Sequence, residues 1–178
     1  MVDDKVKLFH QKIYKMKTLL MTLLAGILFI NAEAKNINEK NEDPSQLTKD
    51  QFYHDFGDVK IIEWSKNRNL DEVTFIKDGH TLNAFYDDEP LLVGTTENKK
   101  FSDLPPQTQK TLKTFYKDYS VGDIILFDDN EANETDMILY NQPFEDADNY
   151  FIELTKGNTK IIVEADMSGK TSYFTKLK

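Results

Sequence analysis

One stretch decides the fold class: Tyr150-Phe151-Ile152-Glu153-Leu154-Thr155-Lys156-Gly157-Asn158-Thr159-Lys160-Ile161-Ile162-Val163-Glu164-Ala165. It contains two runs rich in β-branched and aromatic residues, and Lys156-Gly157-Asn158 between them is a turn-forming sequence. A third run of this kind, residues 171–174, follows a second turn signal at Ser168-Gly169. The pattern predicts antiparallel strands joined by tight turns.

The same order occurs earlier in the chain. Strand-like runs are found at residues 59–64, 73–76, 81–86 and 91–96, with turn signals at Asp78-Gly79 and at residues 87–90. Further strands are predicted at 123–127 and, less regularly, at 137–140. Since a helix precedes each set, we predict an α+β fold of antiparallel β-sheet meanders with two helices. The similar order favours a tandem repeat with halves at about 47–101 and 102–178, although chance similarity between two ordinary hairpins is the alternative.

The first predicted helix has signals at both of its ends. Thr48 and Gln51 form a capping-box pair, which places the N-terminal cap at Thr48. Phe52 and Phe56 are four residues apart and share one face. Gly57 is placed for the left-handed conformation that ends many helices. We therefore predict a short helix that ends at Gly57.

The second predicted helix opens after Leu104-Pro105-Pro106, because proline is favoured in the first helical turn. Its apolar residues recur at spacings of three and four as far as Tyr119. Gly122 is the predicted end.

The first 34 residues have the composition of a signal peptide. A basic stretch is followed by a nearly continuous apolar run at residues 19–30, and Ala32-Glu33-Ala34 supplies the small residues of a cleavage site. The run is shorter than the roughly 20 apolar residues that span a bilayer. We therefore expect cleavage and no stable membrane anchor, the alternative being an uncleaved membrane-proximal helix. Met16 is a possible true start, because the residues from Met16 onward have a more typical leader composition.

Cleavage after Ala34 would leave 144 residues, enough for one ordinary domain. Residues 35–46 are mostly polar and predict a flexible tether before a single domain at 47–178. The absence of cysteine excludes disulfides, thiolate metal sites and a lipid-modified cysteine. We expect a periplasmic or secreted protein.

The mature chain is strongly acidic. Removing a leader with five lysines and three acidic residues changes the net charge from −9 to −11. Nucleic acid and anionic membranes would repel such a chain, so neither is an expected partner.

The sequence offers no set of residues for catalysis. The mature chain has two histidines, His54 and His80, and lacks the G-x-S-x-G, H-E-x-x-H and glycine-rich phosphate-loop motifs. Asp87, Asp88 and Glu89 resemble a carboxylate pair for acid/base chemistry, but acidic residues before a proline are ordinary turn residues. We predict that the protein is not an enzyme.

The acidic segment 118–153 contains no lysine or arginine but has eleven carboxylates: Asp118, Asp123, Asp128, Asp129, Glu131, Glu134, Asp136, Glu145, Asp146, Asp148 and Glu153. Three interpretations are open. The first is a solvated loop that keeps the protein soluble. The second is a calcium site, the one cofactor considered, although the spacing differs from the usual calcium loop. Its ligands would be Asp128, Asp129, Asn130 and Glu131. The third is a docking patch for a basic protein, with Asp128, Asp129, Glu131 and Glu134 as contacts.

The aromatic residues allow two interpretations as well. Trp64, Phe85 and Tyr86 lie in predicted strands, where sheet proteins usually bury such side chains. If they are exposed, they form a protein-binding patch.

Taken together, these features resemble the PepSY-like domains of exported bacterial proteins, which are related in architecture to the β-lactamase inhibitory protein. The resemblance covers about residues 47–175. It rests on Phe52 and Phe56, Trp64, the hairpin from Phe75 to Tyr86, Ser102-Asp103-Leu104-Pro105, and the pattern Tyr150, Gly157, Val163, Asp166 and Gly169. It implies an antiparallel sheet packed by helices and a binding or inhibitory role. Residues 128–149 form a longer connection than the family needs, which predicts altered strand pairing there.

Two functions are therefore expected. The first is an exported binding module that engages an unidentified protein partner of the envelope or the medium, with inhibition of that partner as the narrower alternative. The second is a cation-responsive or structural envelope protein that acts through the acidic segment 118–153.

Overall fold

The structure is a computed structural model that describes residues 43–67, 70–144 and 147–177. The predicted leader, the start at Met16 and most of the tether lie outside these residues. The helices are α1 (Gln46–Phe56) and α2 (Pro106–Phe115), and a short 3₁₀ turn, Phe101–Asp103, precedes α2. The strands are β1 (Lys60–Asn67), β2 (Leu70–Lys77), β3 (His80–Tyr86), β4 (Leu92–Asn98), β5 (Ser120–Asp129), β6 (Ile138–Leu139), β7 (Gln142–Pro143), β8 (Asn149–Lys156), β9 (Thr159–Asp166) and β10 (Thr171–Leu177).

Eight strands form one antiparallel sheet in the order β1-β2-β3-β4-β5-β8-β9-β10. The first four of these strands follow α1 in the chain, and the last four follow α2. Each half of the fold therefore consists of a helix followed by four strands of the sheet. The predicted α+β class is confirmed. The predicted Asp78-Gly79 hairpin is also confirmed, with φ values of 52° and 82° that suit a two-residue turn.

Helix α1 begins earlier than the capping box predicted. Ser45 is its N-terminal cap, and the Ser45 hydroxyl accepts a hydrogen bond from the Thr48 amide at 3.0 Å. The prediction of a cap at Thr48 is wrong because Thr48 is buried and its hydroxyl donates to Asp71 at 2.6 Å. Gly57 ends the helix as predicted, with a φ of 74°.

Asp71 of β2 fixes the start of α1 on the sheet. Besides the Thr48 hydroxyl, its Oδ2 accepts the Ser45 amide at 3.4 Å, and its Oδ1 lies 3.8 Å from Nζ of Lys66. A buried carboxylate is tolerated here because the helix N-terminus and a lysine both favour its negative charge.

Helix α2 ends sooner than predicted. Phe115 is its last residue, Tyr116 caps it, and strand β5 already begins at Ser120. The prediction that the helix continues to Gly122 is wrong. Gly122 lies within β5, where a Cβ atom would come within 2.9 Å of Oε1 of Glu153.

Both helices pack on one face of the sheet. Phe52 of α1 is fully buried against Val73, Phe75, Ala84 and Tyr86 of β2 and β3. Leu112 of α2 is buried in a second cluster, together with Leu104, Ile124, Tyr150, Ile152, Leu154, Ile161, Val163 and Ala165. This face carries most of the apolar burial that stabilises the two helices.

The opposite face is covered over part of its width by the long connection between β5 and β8. Strands β6 and β7 form a small separate hairpin. Met137 and Phe144, which flank it, are buried together with Phe85, Val93, Phe127, Phe151 and Ile162 of the main sheet. The predicted change of strand pairing is wrong, since β5 pairs directly with β8. The extra residues cover the sheet instead of entering it.

No helix among the described residues is long and apolar enough to cross a membrane.

Candidate functional site

Two acidic segments meet at one end of the sheet. The first is the β3–β4 connection, residues 87–91, and the second is the β5–β8 connection that begins at residue 130. Strand pairing places them together, because Gly94 of β4 lies opposite Asp129 of β5. Neither residues 87–91 nor residues 128–148 include a lysine or arginine. Negative charge is therefore concentrated at this end.

Asp87 joins the two segments. Its Oδ1 accepts hydrogen bonds from the backbone amides of Glu89 and Leu91 at 2.8 and 3.0 Å. Its Oδ2 accepts from Asn133 Nδ2 at 2.8 Å and from the Thr135 hydroxyl at 3.3 Å. Burial by itself raises the pKa of the Asp87 carboxyl, but these four hydrogen bonds together hold that pKa below its usual value. Asp87 is thus ionised at neutral pH, and its charge organises the site.

Asn133 is the partner of Asp87 in the second segment and is buried. Its Nδ2 also lies 3.2 Å from the Leu92 carbonyl, and its Oδ1 accepts the Thr135 amide at 2.9 Å. Nearby, Asn130 donates to the carbonyls of Val93 and Leu92 from its backbone and side-chain nitrogens, respectively. Hydrogen bonds to β4 therefore hold this part of the second segment in place.

A cleft of about 500 Å³ lies between the two segments. Its lining combines carboxylates, apolar side chains and the residues that join the segments: Leu70, Asp87, Asp88, Glu89, Leu91, Ala132, Asn133, Glu134 and Thr135. Asp88, Glu89 and Glu134 are exposed, and Leu91 is 48% exposed although it is apolar. This combination suits a lysine or arginine side chain, whose aliphatic stem packs on apolar groups while its charged end meets carboxylates.

The predicted docking residues are only partly brought together. Glu134 lines the cleft, and Glu131 is exposed on the same segment. Asp128 and Asp129 lie in β5, where consecutive side chains point to opposite faces of the sheet. Burial, followed by the nearby Asp148 carboxylate, raises the pKa of Asp128 against the smaller opposing effect of Lys99. Asp148 also accepts the Asp129 amide at 2.9 Å.

The four residues of the predicted calcium site do not converge. Asp128 and Asp129 diverge, and the Asn130 side chain already donates to the Leu92 carbonyl at 2.6 Å. In the described parts of the chain, no group of three or more histidine, cysteine, aspartate or glutamate side chains is arranged to hold a metal ion. Calcium binding by Asp128, Asp129, Asn130 and Glu131 stays a prediction.

The structure decides between the two interpretations of the aromatic residues. Phe85 is 5% exposed and Tyr86 is fully buried, so an exposed patch that includes them is wrong. Phe85 lies under the β6–β7 hairpin, whereas Tyr86 packs against α1 and donates from its hydroxyl to Asp55 at 3.0 Å. Trp64 is half-buried beside Phe52. These side chains belong to the core because they lie on faces of the sheet that other elements cover.

Sequence reasoning named Glu134 as a docking residue but did not connect it with Asp87, Asp88 and Glu89, and it missed Asn133. Asp87, Asp88 and Glu89 were recognisable as turn residues, and Asp87 does accept the turn amides. Its partner Asn133 lies 46 positions away. The local sequence carries no sign that the two segments meet, and only the strand pairing brings them together.

Neither protein-family models nor curated proteins match the sequence. Several solved structures are similar in fold. A DUF2874-family protein from Bacteroides uniformis has 11% sequence identity and a TM-score of 0.58, with 73% of this chain and 89% of that chain covered. A BLIP-like protein from Bacteroides fragilis has 14% identity and a TM-score of 0.56, with 75% and 85% covered. A predicted periplasmic protein from Bacteroides eggerthii has 12% identity and a TM-score of 0.56, with 74% and 89% covered.

At these identities the likeness establishes the fold alone. It supports the BLIP-like architecture that the sequence resemblance implied. Membership of the PepSY-like family stays a prediction.

Proposed function

We propose that the mature protein is an exported, non-enzymatic binding module that holds a basic segment of a partner protein in the acidic cleft. The observation that carries the proposal is the cleft itself. Three exposed carboxylates, those of Asp88, Glu89 and Glu134, line it together with the apolar side chains of Leu70 and Leu91. A cation held there would satisfy charges that no lysine or arginine of the same two segments neutralises.

The shape of the site favours a protein partner over a small ion. The cleft has a fixed wall, since Asp87 and Asn133 hold the second segment against the first. An exposed leucine at its rim adds apolar area that an ion does not use and that a side chain can bury. Charged rims also speed the association of oppositely charged proteins.

Export is the natural setting for this role. The leader composition and the likeness to a predicted periplasmic protein both support a periplasmic or secreted location. The likeness to a BLIP-like protein supports binding, with inhibition of an envelope or secreted enzyme as the narrower possibility. The lack of a nucleophile, base and orienting group among the sequence motifs supports a non-enzymatic role.

The test is a binding measurement with a defined probe. The full chain is expressed with its own leader, the N-terminus of the purified product is determined, and a fluorescein-labelled arginine-rich peptide is titrated by anisotropy. The cleft variant carries Asp88→Asn, Glu89→Gln and Glu134→Gln. We expect it to bind the peptide roughly tenfold more weakly, because exposed ion pairs contribute about 0.2–1 kcal/mol each.

A control variant with the same net charge separates the effect of the cleft residues from the effect of net charge. It carries Asp50→Asn, Asp58→Asn and Asp78→Asn, three exposed positions outside residues 87–91 and outside the acidic segment 118–153. The proposal fails if this control weakens binding as much as the cleft variant, or if the wild-type protein does not bind the peptide. Cross-linking to an envelope extract, with both variants in parallel, then identifies a partner lost only in the cleft variant.

A further inference from the structure

The face of the sheet opposite the helices differs between the two halves. In the second half, the β6–β7 hairpin and its flanking residues lie over Phe127, Phe151 and Ile162. This cluster includes Leu70 of β2 but no residue of β1. The chain thus covers this face of the second half, together with Phe85 of β3 and Val93 of β4, with its own extended segment, and it does so with apolar contacts.

On the same face of the first half, β1 and the middle of β2 are mainly polar, between Leu70 and Ile76. Strand pairing sets Ser65 of β1 opposite Glu72 of β2, and Glu63 opposite Thr74. The pair of Glu63 and Thr74 begins a row of polar residues that continues across the sheet. The Thr74 hydroxyl donates to Asn83 Oδ1 at 2.7 Å, and Asn83 Nδ2 donates to the Thr96 hydroxyl at 3.2 Å. An occupant of this half must therefore be polar rather than apolar.

Two carboxylates give the part of this surface near the cleft its charge, while Lys60, opposite Ile76, lies at the far end. Glu63 and Glu72 are diagonal neighbours on adjacent strands, a relationship that sets their positions about 7–8 Å apart. Glu63 is exposed and Glu72 is half-buried. Burial and, to a lesser extent, the Glu63 charge raise the pKa of Glu72 against the hydrogen bond from Ser65. A cation placed between the two carboxylates would favour the ionised form of Glu72 against its burial and would offset the repulsion from Glu63.

This surface is continuous with the acidic cleft. Leu70 lines the cleft, and Glu72 lies two residues further along the same strand on the same face. Two residues of a strand span about 6.6 Å, which is also the distance between alternate side chains of an extended peptide. A segment that leaves the cleft along β2 therefore presents every second side chain to this face.

We infer that the face of β1 and β2 that carries Glu63 and Glu72 extends the cleft and binds an extended segment with basic residues at alternate positions, one held in the cleft and the next between Glu63 and Glu72. The inference rests on the proposed function, since it defines the form of the basic segment. The partner is a polypeptide with lysine or arginine at every second position.

The test compares two peptides of the same composition, one with alternating arginine and serine and one with the arginines contiguous, by fluorescence anisotropy on the full chain. The face variant carries Glu63→Gln and Glu72→Gln, and its charge-matched control carries Asp58→Asn and Asp78→Asn. We expect the wild-type protein to prefer the alternating peptide. We expect the face variant to weaken binding of that peptide about fivefold, with little change in the control.

A second measurement does not depend on the variants. The side-chain amide of Asn83 adjoins the surface, so its NMR signals should shift when the alternating peptide is added. If the face variant binds like the control while the cleft variant is still weakened, the inference is overturned and the proposed function stands. If neither variant differs from its control, both are overturned.

Discussion

Asn133 Nδ2 donates to Asp87 Oδ2 over 2.8 Å, and the two residues belong to segments 46 positions apart. Together with the hydrogen bond from the Thr135 hydroxyl to Asp87, it links the two sides of the cleft. We predict that Asp87→Ala and Asn133→Ala each lower the free energy of unfolding by about 1–3 kcal/mol, because each removes several hydrogen bonds and leaves partners unsatisfied. The loss of unfolding free energy in the double variant should be smaller than the sum of the two single losses by about 1 kcal/mol. Urea unfolding of the four proteins measures the difference.

Asp88→Ala is the control for this cycle, since Asp88 is the exposed neighbour of Asp87. It should change the free energy of unfolding by less than about 0.5 kcal/mol. Strictly additive losses in the double variant would show that the two residues act independently.

The ionisation of Asp87 predicts a pH dependence of stability. Its folded-state pKa lies below the ordinary value of 3.8, so its stabilising contribution is present above about pH 4 and is lost as the pH falls through the folded-state pKa. The stability difference between the wild type and Asp87→Asn should therefore shrink below pH 4. Urea unfolding at several pH values measures it, and a difference that stays constant to pH 2 would contradict the assignment.

Glu72 predicts the opposite pH dependence. Its folded-state pKa lies above the ordinary value of 4.5, so its ionisation in the folded protein opposes folding at neutral pH. In the absence of a bound peptide, the Glu72→Gln variant should be more stable than the wild type at pH 7. The advantage should vanish as the pH falls through the folded-state pKa towards 4.5. Thr74→Ser, which keeps the charge of the same strand face, should show no such pH-dependent advantage.

Phe144 holds the β6–β7 hairpin on the second half of the sheet. The centroid of its ring lies 5.0 Å from the ring centroid of Phe127 and 4.9 Å from that of Phe151. We predict that Phe144→Ala costs about 3–5 kcal/mol and increases binding of a hydrophobic dye, because it uncovers aromatic side chains. Ile138→Ala, at a 43% exposed position of the same hairpin, should cost less than about 1.5 kcal/mol. Equal losses would mean that the hairpin is not held by Phe144.

Calcium binding is tested by thermal unfolding in millimolar calcium and in sodium chloride of the same ionic strength. Because Asp128 and Asp129 point to opposite faces, we expect the two melting temperatures to agree. A rise specific to calcium that disappears in Asp128→Asn would instead support the predicted site.

The local parts of the fold were predictable because their signals are local. The turn at Asp78-Gly79 and the helix end at Gly57 each depend on a residue with a positive φ, and both occur. The end of α2 was not predictable from periodicity. Tyr116 and Tyr119 continue the helical spacing but pack against the second cluster from a turn.

The cleft could not be predicted from the sequence for a different reason. The acidic segment was conspicuous, but its contacts depend on which strands are neighbours and on which face the hairpin covers. Met137, Leu139 and Phe144 have no regular spacing that reveals the face they bury. Asn133, the residue that fixes the segment, is an ordinary polar residue in an acidic stretch.

The β6–β7 hairpin has a consequence for valency. A sheet built from two similar halves would present two equivalent surfaces, and such a molecule could bridge two copies of a partner. In the described part of the chain, the hairpin covers the second of these surfaces with the protein's own residues. The proposed partner of the sheet face would therefore meet one such surface on each molecule, so we expect one-to-one stoichiometry in place of cross-linking.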